Sequence, residues 1–158
     1  MRASYGAELR KLFPAELSAA ISGFVAAKPP PPDLLPGSRA FVRKVTSSIW
    51  HWVVVVPSPK DDSFWVDIGW SKLARFPQSA WPSAPGEEYM CRLTQLGPAR
   101  LHAGWDVDAF LRTSQAKDIL AFMPGALQSN PETRVLVSLK ACMQLLSEAA
   151  APFFEQVA

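Results

Sequence analysis

The sequence predicts an α+β fold: an antiparallel meander of three to four strands, with an N-terminal helix and C-terminal helices packed on one face. Apolar residues recur at helical spacing near the N-terminus, and segments rich in β-branched and aromatic residues then follow one another across polar loops. Helical patterns return near the end of the chain, and no β–α–β alternation is visible. This order is typical of α+β domains, in which helices cover one face of an antiparallel sheet.

An apolar stripe predicts the first helix. Five residues recur at helical spacing and indicate a helix over about residues 5–25: Leu9, Phe13, Leu17, Ile21 and Phe24. Pro14 lies inside this pattern and predicts a kink or the start of the second half of the helix. The run KPPPPDLLPG that follows cannot continue a helix, so it predicts a stiff connector, with a ligand for a proline-binding module as the alternative.

Three strands are predicted next. Residues 40–45, 49–57 and 64–70 are rich in β-branched and aromatic side chains, and polar turns separate them. Residues 90–97 are a candidate fourth strand. Such consecutive strands, joined by short loops, indicate an antiparallel meander. The segment over residues 72–88 is rich in loop formers and predicts an ordered excursion from the sheet.

The loop between the second and third strands predicts their register. One register puts apolar pairs on a single face, against the helices: Val56 with Phe64, Val54 with Val66, Trp52 with Ile68, and Trp50 with Trp70. A slip of one residue would exchange the faces of one strand, so the apolar pattern favours this pairing. Most of the tryptophan-rich stretch is therefore expected to lie in the core.

The opposite face of the predicted sheet combines an apolar field with a polar cluster. The turn over residues 46–48 predicts that Phe41 pairs with Val53 and Arg43 with His51. In these registers the opposite face carries seven residues: Phe41, Val53, Val55 and Trp65, together with Arg43, His51 and Asp67. A solvent-facing sheet normally carries Lys, Glu, Thr and Ser instead. We therefore expect this face to be covered by the 72–88 loop, by a partner protein, or by a small molecule bound in a cleft.

Capping signals predict the C-terminal helices. Asp106 and Asp108 follow Trp105 and are expected to cap a helix, because their side-chain oxygens can accept backbone N–H bonds. Asn130 suits the cap of a second helix, and the proline after it suits the first helical position. Pro152 is expected to end or bend that helix.

The composition fits one domain over residues 1–158 and argues against several kinds of partner. With 16 basic and 14 acidic side chains the formal charge is +2, and the Lys and Arg residues are scattered, so nucleic acid binding is not predicted. No stretch is long and apolar enough for a transmembrane helix, and the N-terminus does not resemble a secretory signal. We therefore predict a cytoplasmic protein without a membrane partner.

Motifs that carry chemistry are absent from the sequence. It contains no GxSxG, P-loop, GxGxxG or CxxC motif, and its only histidines are His51 and His102. Cys91 and Cys142 lie in apolar segments and are interpreted as buried reduced thiols, with a disulfide as the alternative. The sequence therefore predicts no enzymatic activity, no cofactor and no metal site.

Four segments resemble a known group of domains. In order they are AELSAAISGF, RAFVR, SSIWHWVVVV and FWVDIGWS, and together they span about residues 16–71. They are similar to small bacterial domains of unknown function, some of which are encoded among contact-dependent and polymorphic toxin systems. There they are suggested to act as immunity proteins. The resemblance implies an interaction protein that neutralises a toxin by direct binding.

The predicted function is therefore that of a non-enzymatic interaction protein, a monomer or homodimer whose partner is a protein such as a toxin. Interfaces of this kind often use aromatic and Arg anchors. The predicted partner-binding residues are Arg43, His51, Trp65 and Asp67 on the sheet, with Arg75 and Trp81 on the neighbouring loop. The alternative is a small-ligand binding or sensing domain, with a cleft between the sheet and the 72–88 loop.

Overall fold

The predicted α+β fold is confirmed by a computed structural model, which describes residues 1–72, 74–77, 86–97 and 104–157. The helices within these ranges are α1 (Ala3–Ala20), α2 (Val107–Phe110), α3 (Ser114–Ala121) and α4 (Pro131–Glu155). The strands are β1 (Val25–Ala26), β2 (Arg39–Lys44), β3 (Trp50–Pro57), β4 (Ser63–Ser71), β5 (Glu88–Arg92) and β6 (Trp105–Asp106). They form one antiparallel sheet in the order β1-β2-β3-β4-β5, and β6 also pairs with β4.

The first helix packs its apolar stripe against α4. Leu9, Phe13 and Leu17 are buried, and Pro14 lies inside the helix without ending it. The helix ends at Ala20, earlier than predicted. Gly23 then adopts a positive φ of 87°, a conformation that glycine reaches without steric cost, and the chain turns into the short edge strand β1.

The β2–β3 register agrees with the prediction, whereas the β3–β4 register differs from it by one residue. Phe41 faces Val53, as expected. Val55, not Val54, faces Val66, and Val53 faces Ile68 instead of Trp52. Every residue from 51 to 56 is buried, so β3 is apolar on both sides and its pattern could not choose between the two registers.

This register decides which residues form the core. The side of the sheet that faces the helices carries six residues that are at most 3% exposed: Phe41, Val53, Val55, Phe64, Val66 and Ile68. Trp52, Val54 and Val56 were predicted on this side and lie on the opposite one. Phe41, Val53 and Val55 were predicted on the opposite side and lie in this core.

The second side of the sheet is covered in part by the chain itself. Its buried cluster contains Val54 and Val56, and Leu34 from the proline-rich connector packs against it. Phe76, from the loop after β4, joins the same cluster and meets the Trp52 ring edge-on, with 5.3 Å between ring centroids. Cover by the 72–88 loop, one of the three expectations for an apolar sheet face, is thus seen at this position.

The C-terminal helices begin at their predicted caps. The Asp106 carboxylate accepts from the Ala109 amide at 2.8 Å, and the Asn130 amide oxygen accepts from the Glu132 amide at 2.8 Å. The strand expected over residues 90–97 is shorter: β5 ends at Arg92, and a 3₁₀ helix, Leu93–Leu96, follows it. None of the helices in the described ranges has both the length and the hydrophobicity that crossing a bilayer requires.

Pro152 was expected to end or bend α4, and the structure shows that it does not end the helix. The helix continues through it to Glu155. The two residues after the proline, Phe153 and Phe154, are 3% and 5% exposed, so their packing holds the last turn in place despite the backbone hydrogen bond that a proline removes. This extra turn brings Phe154 over the sheet beside His51.

Candidate functional site

The residues predicted to bind a partner do not form one cluster. Arg43 and His51 face each other across β2 and β3 on the helix-facing side of the sheet. Trp65 and Asp67 lie on the opposite side, because the β3–β4 register differs by one residue from the predicted one. The predicted Arg43–His51–Asp67 cluster on a single face is therefore wrong, and the pair on β2 and β3 has to be considered by itself.

The other two predicted residues, Arg75 and Trp81, belong to the loop after β4. Arg75 lies in the described part of the loop, where its Nη2 donates to Glu88 at 3.1 Å. Trp81 lies outside the described residues. Their role as partner contacts stays a prediction.

Arg43 is held between aromatic rings, and none of the described residues gives it an acidic partner. Its guanidinium carbon lies 4.7 Å from the ring centroid of Phe24 and 5.7 Å from that of Phe154. Nη1 donates to the carbonyl of Ser22 at 3.1 Å, and Nη2 donates to His51 at 3.0 Å. Nε is buried without a hydrogen-bond partner, and no described carboxylate lies within ion-pair distance. Burial lowers the pKa of Arg43, as expected for a cation without a countercharge.

His51 is a neutral imidazole that accepts a hydrogen bond from Arg43 in this arrangement. Its ring is 5% exposed and stacks on Phe154, with centroids 4.0 Å apart and planes inclined by 11°. A guanidinium can only donate, so Nδ1 of His51 must accept from Arg43 and the ring proton must sit on Nε2. Burial, and then the charge of Arg43, lower the pKa of His51 to about 4.

The pair lines a groove of about 450 Å³ between the β2–β3 hairpin and the end of α4. Most of its walls are apolar and come from Ile21, Val45, Ile49, Ala150, Phe154 and Val157. The charged groups along it are Arg43 and the exposed Glu155. A volume of this size, with apolar walls and a few polar groups, is typical of sites that bind small molecules or single side chains.

The second side of the sheet also carries an arginine over an aromatic ring, and this arginine has an acidic partner. Arg92 lies over the Trp65 ring, with its guanidinium carbon 4.6 Å from the centroid, and its Nε is 3.7 Å from Asp67. Burial raises the pKa of Asp67, and the charge of Arg92 opposes that rise. Trp65 and Asp67 thus belong to a cluster that supplies its own countercharge.

A third polar cluster ties the helices together. The Tyr5 hydroxyl donates to Asp108 at 2.7 Å, and Arg134 and Arg2 lie 2.5 and 3.1 Å from the same carboxylate. Asp108 was predicted only as a cap, and the structure makes it a link between α1, α2 and α4. Because this carboxylate and its cations satisfy one another, the cluster has a structural explanation.

The thiols are poor nucleophiles. Cys91 and Cys142 are both buried and free. Burial raises the pKa of Cys91 to about 11 and that of Cys142 well above its ordinary value, so neither is a thiolate near neutral pH. Within the described ranges, no three His, Cys, Asp or Glu side chains gather in a way that could hold a metal ion. His102 lies outside those ranges.

Arg43 and His51 were predicted as site residues, and the two rings that contact Arg43 were not. Phe24 was assigned to the first helix, and Phe154 to a short tail after Pro152. The Phe-Phe pair after that proline was the available signal, because two adjacent aromatic residues at a helix end call for a packing partner.

Comparison of the chain with protein-family models, with characterised proteins and with solved structures found no match. The groove around Arg43 and His51 is therefore the main basis for a functional proposal.

Proposed function

We propose that the protein is a non-enzymatic binding protein and that its site is the groove lined by Arg43 and His51. The observation that carries this proposal is the state of Arg43: its side chain is fixed by two rings and two hydrogen bonds, yet no described carboxylate neutralises it. A half-buried cation without a countercharge is costly, and a bound anionic group would remove that cost. Binding of this kind needs a rigid surface and no catalytic group.

The partner we propose is a protein. Arg and aromatic residues are the side chains that most often anchor protein interfaces, and here an arginine lies between Phe24 and Phe154. Apolar surface continues outward from the groove at Val45, which is 47% exposed. The resemblance of residues 16–71 to domains of toxin systems suggests a toxin as this partner, which an immunity protein would neutralise in the cytoplasm.

Affinity purification with charge-reversed variants tests the proposal. We expect the same protein to be retained by the wild type and by Lys60→Glu, and to be lost with Arg43→Glu. Lys60 is exposed in the β3–β4 loop, so it controls for the change in charge alone. Thermal unfolding checks that each variant is folded. Equal retention by Arg43→Glu would show that the groove is not the interface.

A second candidate function is small-ligand binding, which the volume and the apolar walls of the groove favour. The cleft for this alternative was predicted between the sheet and the 72–88 loop. Phe76 of that loop packs on Trp52, so the chain itself covers the sheet at this position. We therefore place the candidate ligand site in the Arg43 groove instead. A metabolite that binds there would raise the melting temperature of the wild type and not that of Arg43→Met.

A further inference from the structure

We propose that the groove recognises a C-terminal carboxylate of its partner together with the apolar side chain of the last residue. This inference rests on the proposed function, since it names the group that would occupy the same site. Arg43 supplies the countercharge, His51 supplies a neutral N–H donor, and the apolar walls receive the side chain.

The donors that remain free are suited to an anion with two acceptor oxygens. Arg43 uses one Nη1 donor on Ser22 and one Nη2 donor on His51, so part of its guanidinium fork stays available. The Nε2–H of His51 has no hydrogen-bond partner among the described residues, and the ring lines the groove. A guanidinium and an adjacent N–H are the donors that hold a carboxylate with charge-assisted bonds.

The charge of the groove favours a singly charged group. Arg43 is the one cation among its described lining residues, and Glu155 adds a negative charge at its exposed side. A phosphate carries nearly two negative charges at neutral pH and would meet only this one cation. A carboxylate matches the available charge.

The walls of the groove favour the C-terminal residue of a partner over an internal segment of its chain. Arg43 contacts Ser22 and Phe24, neither of which lines the groove. A group that reaches Arg43 through the groove therefore lies among apolar lining residues such as Val45 and Ile49. A C-terminal residue with an apolar side chain presents a carboxylate and an apolar group on the same carbon, in agreement with this arrangement.

Three peptides of equal length test the inference. The probes are acetyl-Ala-Ala-Leu with a free carboxylate, the same peptide as its amide, and acetyl-Leu-Glu-Ala amide, which carries its charge on an internal side chain. Binding to the full chain is followed by NMR shifts of the His51 ring and of the backbone amides. We expect the free acid to bind at least tenfold more tightly than either other peptide, and a change of its last residue from Leu to Ala to weaken binding about tenfold.

Variants of the chain separate recognition of the carboxylate from loss of structure. Arg43→Met should abolish the preference for the free acid, whereas Lys60→Met should leave it unchanged. Glu155→Gln removes the repelling charge from an exposed position and should tighten binding of the free acid two- to fivefold, by roughly the energy of an exposed charge pair. Because Glu155 is exposed, this variant tests the site even if Arg43→Met does not fold.

Several results would overturn the inference. Equal affinity for the acid and its amide, a preference for the internal glutamate, or no shift with about 10 mM free acid would each exclude a C-terminal carboxylate as the ligand. If such a result accompanied Arg43-dependent capture of a partner, the proposed function would stand and only the recognised group would be wrong. If the free acid bound as expected and no partner depended on Arg43, the carboxylate site would stand and the protein-binding function would fall.

Discussion

The two sides of the sheet each hold an arginine over an aromatic ring. They differ in whether a described carboxylate lies close enough to neutralise that arginine. Arg92 lies 4.6 Å from the centroid of Trp65, and Asp67 stands 3.7 Å from its Nε. Arg43 lies 4.7 Å from the centroid of Phe24, and its hydrogen bonds go to a carbonyl and to a neutral imidazole. The first arginine is neutralised within the chain, and the second is oriented but left without a countercharge by the described residues.

This difference shows that a stacked arginine is not by itself a sign of binding. Stacking fixes the orientation of a guanidinium at either position. What separates the two is the presence of a carboxylate within reach, which makes one cluster structural and leaves the other able to receive an anion. The comparison between the two arginines can be tested by substitutions at Phe154, His51 and Asp67.

The largest effect is expected at Phe154, whose ring packs on His51 in the groove. Phe154→Ala should lower the unfolding free energy by about 3 kcal/mol or more, because Phe154 is 5% exposed and stacks on His51. Urea denaturation measures this change. Phe122→Ala is the matched control: Phe122 is 87% exposed, so the same substitution should cost less than about 0.5 kcal/mol. Similar costs for the two variants would mean that the end of α4 does not pack on the sheet as described.

The next effect concerns the protonation of His51. Its pKa is about 4 in the folded protein, compared with an ordinary value of 6.5, so between these values the unfolded chain holds the additional proton. The stability that this shift contributes is complete above pH 6.5 and is lost as the pH falls to 4. It amounts to as much as ~3 kcal/mol for a pKa difference of this size.

His51→Gln isolates this effect, because glutamine does not titrate and still offers an acceptor to Arg43. Denaturant unfolding at pH 7 and pH 4.5 should show that the wild type loses more stability on acidification than the variant does. All other titrating groups are common to both proteins and cancel in the difference. Equal losses would mean that folding does not lower the pKa of His51, and therefore that neither burial nor Arg43 disfavours the protonated ring as described.

The sequence predicted the pairing of β2 with β3 correctly, and it placed Arg43 and His51 on the wrong side of the sheet. The short turn between β2 and β3 left one sensible pairing, and it brings Arg43 opposite His51. The next hairpin has a longer loop, and β3 is buried on both of its sides, so alternation in β3 gave no information about which side meets the core. Trp65 and Asp67 lie on the side away from the helices, as predicted, whereas Arg43 and His51 were placed beside them and lie on the helix-facing side.

The aromatic support of the site could not be predicted from local pattern. Phe154 lies more than a hundred residues beyond His51 in the chain, and Pro152 indicated that the helix would end or bend before it. Packing of the last turn on the sheet overrides that local signal, and only a three-dimensional structure brings the two rings together.

The smallest effect is expected at Arg92, and it tests whether Arg92 differs from Arg43 in having a countercharge. In a double-mutant cycle of Asp67→Asn and Arg92→Met, we expect an interaction free energy of about 0.5–1 kcal/mol, since the pair is partly exposed and 3.7 Å apart. Asp67→Asn alone should change stability by less than about 1 kcal/mol, because the cost of burying the carboxylate offsets its attraction to Arg92. A coupling indistinguishable from zero would mean that Asp67 does not neutralise Arg92. The two arginines would then be equivalent, and the missing countercharge at Arg43 would no longer distinguish its groove as a binding site.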